Sequence, residues 1–317
     1  MLYYLNKIFY RILSLIIIHD IKYAKDLSYS KHFGFGDTIF FYLLYKLKKI
    51  NSKKKIFCFT KNQLNIAKFL RLNKNIKRSK ILLPEVFANK FLSESLFKFK
   101  HFNPITIKNF EQSITQTVKI KIILKNSIQE HLVSENIINY VKKKYVCLFI
   151  KHYHFDEKKT VPSIRNTSNL IKIEKLIFYL QKKGFAVVIL GKNYDKFPKY
   201  IKSKIKNKNL VYLSQLSKNY SINDQFYLAD KCSFYLGSAS GASIPYFLLK
   251  KKILHFDTTK SLSDTRAKNI IWLYKKIKIK KKFYTLNSNQ LSFMKTKYSD
   301  LKENTYDEII NKLKTFN

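Results

Sequence analysis

Residues 233–256 read SFYLGSASGASIPYFLLKKKILHF. The apolar run 233–236 ends in a loop of glycine, serine and alanine at 237–241, and we predict a helix over 242–250 and a strand over 252–256. Short apolar strands joined through a helix are typical of parallel sheets that are covered on both faces. The segment therefore predicts a strand–loop–helix–strand unit of an α/β protein.

The same alternation extends back along the chain to Tyr145. The predicted elements are strand 145–150, helix 169–183 ended by Gly184, strand 185–190, strand 210–213 and helix 223–231. A further loop and helix are expected after Gly191. Alternation over this length predicts a doubly wound parallel sheet.

The N-terminal part of the chain predicts a second α/β domain. Its expected elements are a helix after the loop 34–38, a strand at 56–59, helices near 63–71 and 89–99, and a strand-like run near 117–124. A polar, helical segment at 126–144 then leads into the first strand of the C-terminal domain, and we place the boundary there. The predicted architecture is two Rossmann-like domains, 1–140 and 141–317, the second ending in a helix.

The formal net charge is +42, from 62 Lys and Arg against 20 Asp and Glu. Such a balance is typical of nucleic-acid-binding proteins. However, only five of the basic residues are arginine, and the abundant Lys, Ile, Asn, Phe and Tyr share A/T-rich codons. Because a biased genome gives this composition to any fold, we predict no specific nucleic-acid partner, only attraction to polyanions and anionic lipid at low salt.

Length and residue content exclude several classes of protein. The chain has 317 residues, 46% of them hydrophobic, which excludes wholesale disorder. No apolar stretch reaches the roughly 20 residues that span a bilayer. Cys58, Cys147 and Cys232 are far apart and form no CxxC pair, so we expect a reducing compartment rather than a disulfide framework or a zinc ribbon.

Residues 2–18, LYYLNKIFYRILSLIII, are largely apolar but include Asn6, Lys7 and Arg11. Three interpretations stay open: a helix packed on the N-terminal domain, an amphipathic helix at the membrane interface, or a signal peptide. The last lacks a small-residue cleavage site. An anionic membrane surface is therefore retained as a partner for this segment.

The loop 237–243 favours phosphate binding. In an open parallel sheet, ligands bind where strands end and helices begin. Backbone N–H groups at a helix N-terminus can face an anion there, and Ser238, Ser240 and Ser243 add hydroxyl donors around Gly241. The alternative is a serine-rich helix cap without a ligand. The loop is not a P-loop, because the lysine of GxxxxGK[ST] is missing, and no GxSxG nucleophile elbow is present.

A second glycine loop, Gly34-Phe-Gly36-Asp37, precedes a predicted helix. It fails as a dinucleotide fingerprint, since Ile39 takes the position of the third glycine. Its backbone at a helix start suits close approach by a ligand. Two roles stay open for Asp37: it can cap the helix, or act as general base on an acceptor hydroxyl.

A third loop leaves the first strand of the C-terminal domain. Lys151, His152 and His154 come at the end of that strand, and Arg165 and Asn166 follow. Arginine suits bidentate phosphate recognition better than lysine does. Either histidine can be an acid, a base or an exposed loop residue, and a metal pair is disfavoured because no third ligand is evident.

Four segments that occur in one order resemble a known family: YVCLFIK at 145–151, Arg165-Asn166, GFAVVILG at 184–191 and DKCSFYLGSASG at 230–241. The series resembles bacterial surface-polysaccharide glycosyltransferases of the GT-B fold, whose donor domain is similar to those of heptosyltransferases and α1,6-fucosyltransferases. The loop 34–39 similarly resembles the N-terminal Gly-x-Gly-Asp loop of heptosyltransferases. The resemblance is good over 145–260.

What this resemblance implies is a nucleotide-sugar donor in the C-terminal domain and a glycan or glycolipid acceptor at the N-terminal one. The implied donor-binding residues are Lys151, Arg165, Asn166, Gly191, Ser238, Ser240, Gly241 and Ser243. The implied acceptor side has Gly34 and Gly36 in its loop, and the candidate catalytic bases are Asp37, His152 and His154. No cofactor or metal is expected, since no Asp-x-Asp motif occurs. We expect a cytoplasmic protein, with association with the inner face of the membrane left open.

One departure from the family keeps other functions open. Relatives tend to have His-x-Arg where this chain has Phe149-Ile-Lys151, and lysine keeps the charge but not the bidentate fork. An inactive donor-binding module is therefore one alternative. A basic nucleic-acid-binding protein and an NAD-dependent oxidoreductase are the others, although a recognisable nucleic-acid motif and the third glycine are missing.

Overall fold

The structure is a computed structural model, and it describes residues 27–28, 35–47, 55–84, 118–151, 167, 169–191, 209–260, 267–286, 290–291 and 300–316. The chain divides into two compact units, Met1–Ile128 and Gln129–Asn317. The segment 2–18 and the helix expected near 89–99 lie outside the described residues. Among the helices that are described, none has the length and apolar character needed to cross a membrane.

The N-terminal unit contains a parallel sheet of three strands in the order β1-β2-β3. Its strands are β1 (Leu27–Ser28), β2 (Lys55–Thr60) and β3 (Ile76–Leu83), and its helices are α1 (Phe35–Lys46), α2 (Lys61–Phe69) and α3 (Val118–Ser127).

The junction of β2 and α2 shows why the chain changes from strand to helix here. Strand β2 is buried except at Lys55, as its apolar run predicts. Thr60 then caps α2: its hydroxyl accepts a hydrogen bond from the Gln63 amide at 3.1 Å. The Gln63 side chain in turn accepts one from the Phe59 amide at 2.7 Å. This reciprocal capping satisfies backbone donors at the helix start.

The strand predicted near 117–124 was wrong, because this segment lies mostly in helix α3. Lysine and isoleucine alternate here, which mimics a half-buried strand. The buried positions are Ile120, Leu124 and Ser127, which have the spacing of one helix face. The Ser127 hydroxyl also donates to the Ile123 carbonyl one turn earlier, at 2.7 Å.

The C-terminal unit is built on a parallel sheet of six strands in the order β6-β5-β4-β7-β8-β9. The strands are β4 (Tyr145–Phe149), β5 (Ala186–Leu190), β6 (Leu210–Tyr212), β7 (Phe234–Gly237), β8 (Lys252–Thr258) and β9 (Ile270–Tyr274). The helices are α4 (Glu135–Tyr140), α5 (Leu170–Lys182), α6 (Leu213–Leu216), α7 (Ile222–Lys231), α8 (Ile244–Leu248) and α9 (Tyr306–Leu313).

The main core of this unit lies between the sheet and helices α5 and α9. One face of α5 contributes Ile173, Leu176 and Ile177, which pack with the buried side chains of β4 and β5. Helix α9 adds Ile309 and Ile310 to the same cluster. Burial of each such side chain stabilises the fold by roughly 1.5–3 kcal/mol. The end of the chain is therefore part of the core on which the sheet rests.

Residues 129–140 belong to the C-terminal unit, although we predicted the boundary after residue 140. The reason lies in contacts with α7: the Gln129 amide donates to Asn223 Oδ1 at 2.9 Å, and the Ser134 amide donates to Asp224 Oδ1 at 2.8 Å. Both acceptors are buried. Such contacts between segments about 90 residues apart leave no local pattern in the sequence.

A small antiparallel sheet follows β9. Its strands are β10 (Lys276–Ile279), β11 (Lys282–Tyr284) and β12 (Leu301–Lys302), in the order β11-β10-β12. Ile277, Leu291 and Leu301 form its own buried cluster.

Candidate functional site

The central pair of strands, β4 and β7, is where the C-terminal sheet changes direction. From β4 the chain adds β5 and β6 on one side, and from β7 it adds β8 and β9 on the other. Loops that leave the carboxyl ends of two such strands diverge and open a crevice, which is where open α/β sheets bind ligands. Of the candidate residues, Lys151 after β4 and Ser238 after β7 thus lie together at this edge of the sheet.

One row of paired residues marks this carboxyl edge across five strands: Leu190, Phe149, Gly237, His255 and Trp272. Gly191 follows the first of them directly and has φ +128°. Lys151 and Ser238 come just after the second and third. The row therefore brings three predicted donor-side residues to adjacent strand ends.

Gly237 is required by the packing of β7 on β4. Its φ is +127°, and a Cβ atom at this position would lie 1.8 Å from the carbonyl oxygen of Phe149. Only glycine allows the two backbones to approach so closely. The Ser238 amide then donates to the same Phe149 oxygen at 2.9 Å, which continues the contact into the loop.

Ser238 connects the ends of β4 and β7. Its hydroxyl accepts a hydrogen bond from the Lys151 amide at 3.1 Å, and its carbonyl accepts one from the Tyr235 hydroxyl at 3.0 Å. The Lys151 carbonyl in turn accepts a hydrogen bond from the Thr167 amide at 2.7 Å. Thr167, just before α5, therefore lies beside the end of β4. Ser238 is buried. Its direct role is to hold the loop after β4 against the loop after β7.

The serine loop itself forms a short 3₁₀ turn, Gly241–Ser243, before α8. Ser240 caps this turn: its hydroxyl accepts from the Ala242 amide at 3.1 Å, and its carbonyl accepts from the Ser243 hydroxyl at 2.8 Å. Gly241 is exposed, and a Cβ added there would meet nothing within 4 Å. The tip of the loop is thus open to an approaching ligand, whereas Ser240 and Ser243 make local bonds that shape it.

The remaining predicted residues divide into two groups. Gly36 and Asp37 lie in the first turn of α1, because that helix begins at Phe35. Asp37 therefore follows the capping position rather than occupying it. The others lie outside the described residues: Gly34, His152, His154, Arg165 and Asn166.

His255 is a residue of this edge that the sequence analysis did not select. It is buried beside Gly237, with its Nδ1 3.3 Å from the Gly237 carbonyl oxygen. Its ring packs against Trp272 at a centroid distance of 4.3 Å. Burial disfavours the charged imidazolium and lowers the pKa of His255 to about 4. His255 thus stays neutral at pH 7 and contacts the Gly237 carbonyl at the end of β7.

A buried charged cluster lies at the end of β8, also missed from sequence. Lys172, in the first turn of α5, places its Nζ 2.6 Å from Asp257 Oδ2 and 3.1 Å from Glu303 Oε2. The Asn304 amide donates to Asp257 Oδ1 at 2.8 Å. Lys275 Nζ lies 3.9 Å from Glu303. Two cations and two carboxylates thus balance each other and join α5, β8 and the segment before α9.

Burial acts on the ionisation of this cluster. It raises the pKa of the Asp257 carboxyl, and the Lys172 ammonium opposes that rise. It also lowers the pKa of Lys275 to about 8. Asp257 has φ +53°, a conformation that aspartate tolerates better than most residues. Since the charges are mutually satisfied, the cluster fixes the start of α5 against β8 and the segment before α9.

Comparison with known proteins addresses the fold. No family model matches the chain, and no curated protein gives a significant match. The glycosyl transferase family 9 structure from Veillonella parvula DSM 2008 is similar, with a TM-score of 0.57 at 11% identity, over 92% of this chain and 96% of that one. The E. coli ADP-heptose LPS heptosyltransferase II gives a TM-score of 0.49 at 12% identity, over 92% and 97%. The predicted fold class is confirmed: this chain has a mixed α/β fold with parallel sheets, like that of the Veillonella glycosyl transferase family 9 structure.

Proposed function

We propose that the protein is a glycosyltransferase that moves a sugar from a nucleotide-sugar donor to a glycan or glycolipid acceptor in bacterial surface polysaccharide synthesis. The observation that carries this proposal is the carboxyl edge of β4 and β7, where Lys151 and Ser238 follow adjacent strand ends and Gly241 lies exposed in the loop after Ser238. The fold shared with a glycosyl transferase family 9 structure supports the class of reaction.

The chemistry assigned to the donor side is electrostatic. When the glycosidic bond to the nucleotide breaks, the departing diphosphate gains negative charge. Lys151 and Arg165 would offset that charge, and the open backbone around Gly241 allows a phosphate to approach. Positive side chains in this role take the place of a divalent cation, in keeping with the missing Asp-x-Asp motif, and we propose a metal-independent transfer.

The acceptor hydroxyl has to lose a proton as it attacks the sugar. Asp37, His152 and His154 are the proposed bases, on the strength of their places at a helix start and at a strand end. His255 is not among them, because its side chain is buried. If the acceptor is attached to lipid, we propose that the transfer takes place at the inner face of the cytoplasmic membrane.

The first test is a thermal-shift panel of UDP, GDP, CDP, CMP, ADP and NAD at matched ionic strength. Matching is needed because a chain of charge +42 attracts any polyanion. A nucleotide at 100 times its Kd adds about 2.7 kcal/mol of stability, which raises Tm by about 5–10 °C for a unit of this size. We expect one nucleoside diphosphate to stand apart, and a response ranked only by ligand charge would contradict a donor site.

Two arginine variants locate that site. Arg165→Ala should remove most of the shift produced by the selected nucleotide, while Arg78→Ala, which loses an exposed arginine of β3, should retain it. Both variants change the net charge equally, so equal responses would argue against the assigned role of Arg165. Sugar transfer from the matching nucleotide sugar then distinguishes an enzyme from an inactive donor-binding module, and a selective response to NAD would favour the oxidoreductase.

A further inference from the structure

The hairpin β10–β11 has a concentration of positive charge that the donor site does not use. Residues 275–286 include six lysines and no acidic residue. Lys275 is buried in the charged cluster, while Lys278, Lys280, Lys281 and Lys282 are exposed. Lys276 forms an ion pair, with its Nζ 2.8 Å from Glu308 Oε1.

The strand register gives the small sheet two different faces. Lys278 pairs with Phe283 across the hairpin, and Lys276 pairs with Lys302 on β12, so these four side chains share one face. The Lys302 ammonium lies 5.0 Å from the centre of the Phe283 ring. The opposite face carries Ile277 and Leu301, which pack into the buried cluster. The sheet thus presents a basic face with an aromatic ring at its centre.

The aromatic residues of β11 are unusually open to solvent. Phe283 is 50% exposed and Tyr284 is 43% exposed, next to Lys282 on an edge strand. Lysines on an edge strand can act simply to prevent strand pairing. Half-exposed Phe and Tyr work against that purpose, because they add apolar surface at the same edge. A partner that accepts both cations and aromatic rings accounts for the two features together.

The tip of the hairpin is a two-residue turn of lysine. Ile279 pairs with Lys282, so Lys280 and Lys281 form the turn, with φ values of +45° and +66°. Turns of this kind favour Asn-Gly, since most other residues are strained at positive φ. Lysine therefore occupies both turn positions, although the positive φ angles there favour asparagine and glycine.

The geometry points to a docking surface for an anionic lipid bilayer, formed by the β10–β11 hairpin with Lys302. The exposed lysines bind lipid phosphates, while Phe283, which lies on the basic face, enters the headgroup region, where aromatic side chains are stabilised. A nucleic acid fits less well, because the hairpin has no arginine for bidentate contacts with phosphates or base edges. This surface goes beyond the proposed function and does not depend on it.

The test uses the full chain and phosphatidylcholine vesicles with or without phosphatidylglycerol, measured by co-sedimentation at about 0.1 M salt. The variant K280N/K281G removes two charges and gives the turn its preferred residues, so its unfolding midpoint should stay equal or rise. Its partition onto the anionic vesicles should fall about 25-fold, or about fivefold for each lysine near the surface. The matched control K142S/K143S removes two other exposed lysines of the same unit, and its partition should stay within about threefold of the parent.

A tryptophan probe tests the aromatic part. In F283W, the added emission should shift to the blue with anionic vesicles, when the parent spectrum from Trp272 is subtracted. F178W is the control, because Phe178 is 40% exposed on α5, away from the hairpin sequence. Equal losses of binding in the two lysine variants would overturn the proposal, as would unchanged F283W emission on bound vesicles. So would a loss of duplex-DNA binding in K280N/K281G with vesicle binding retained.

Discussion

Substitution of Gly237 by alanine tests whether the candidate site depends on close contact between β7 and β4. The added Cβ would lie 1.8 Å from the Phe149 carbonyl oxygen, so one backbone has to move by more than an ångström. That movement disturbs the hydrogen bond from the Ser238 amide to the same oxygen, 2.9 Å long in the structure. Both strands are central in the sheet, and neither can shift without disturbing its other neighbour.

The size of the effect follows from two contributions. A residue other than glycine held at φ +127° costs about 1–3 kcal/mol, and forced overlap in a packed region costs about 1–3 kcal/mol more. We expect Gly237→Ala to lower the free energy of unfolding by about 4 kcal/mol. For a unit of this size the corresponding fall in Tm is about 8–16 °C. Urea unfolding followed by far-ultraviolet circular dichroism measures the change.

Gly241→Ala is the matched control. This glycine has no atom within 4 Å of the Cβ position and no positive φ, so its replacement should change the free energy of unfolding by less than about 1 kcal/mol. Both substitutions reduce the freedom of the unfolded chain in the same way, and that contribution cancels. Equal unfolding midpoints for the two variants would refute the packing argument. Weaker nucleotide binding by a stable Gly241→Ala protein would instead indicate close approach of the ligand.

Three further predictions concern buried and candidate donor-side groups. The pKa of His255 is lowered to about 4 in the folded state, so below the usual histidine pKa of 6.5 the unfolded state binds more protons than the folded one. The free energy of unfolding should therefore fall by up to about 3 kcal/mol as pH drops from 6.5 to 4. In urea denaturation at different pH values His255→Gln should flatten this part of the profile, and an unchanged slope would contradict burial of His255 as the cause. Lys172→Met should lower the free energy of unfolding in urea by about 3–5 kcal/mol, because Asp257 is left buried without its cation. Adding Asp257→Asn should recover part of this loss. If the losses of the two single variants simply add in the double variant, the pair is not coupled. Lys151→Arg should supply a guanidinium group that can make two parallel hydrogen bonds to a phosphate. Calorimetry should then show up to about tenfold tighter binding of the selected nucleotide, whereas weaker binding would place Lys151 outside the phosphate site.

Strands and helices with strong local signals could be predicted from the sequence. Strand β5 is a continuous apolar run, and α5 shows a clear apolar face that ends before Gly184, whose φ is +78°. Helix α3 was mistaken for a strand because lysine and isoleucine alternate in it. Strand β3 was missed because its first five residues, Ile-Lys-Arg-Ser-Lys, have little apolar pattern.

The candidate site was predictable where it follows from topology. Loops after neighbouring parallel strands meet at one edge, so Lys151 and Ser238 could be expected near each other. The charged cluster was not predictable, because Lys172 and Asp257 are 85 residues apart and 62 basic residues compete for few acids. His255 was missed for a related reason: its importance comes from burial beside Gly237, which no local motif records.

The buried cluster also sets an order of events during synthesis. Lys172 and Asp257 are made long before Glu303 and Asn304, which complete their hydrogen bonds. Until the segment 303–313 leaves the ribosome, part of the buried charge lacks its partners, and the core lacks α9. We therefore expect the N-terminal unit to fold first. The six-stranded sheet would reach its native packing only after α9 has left the ribosome.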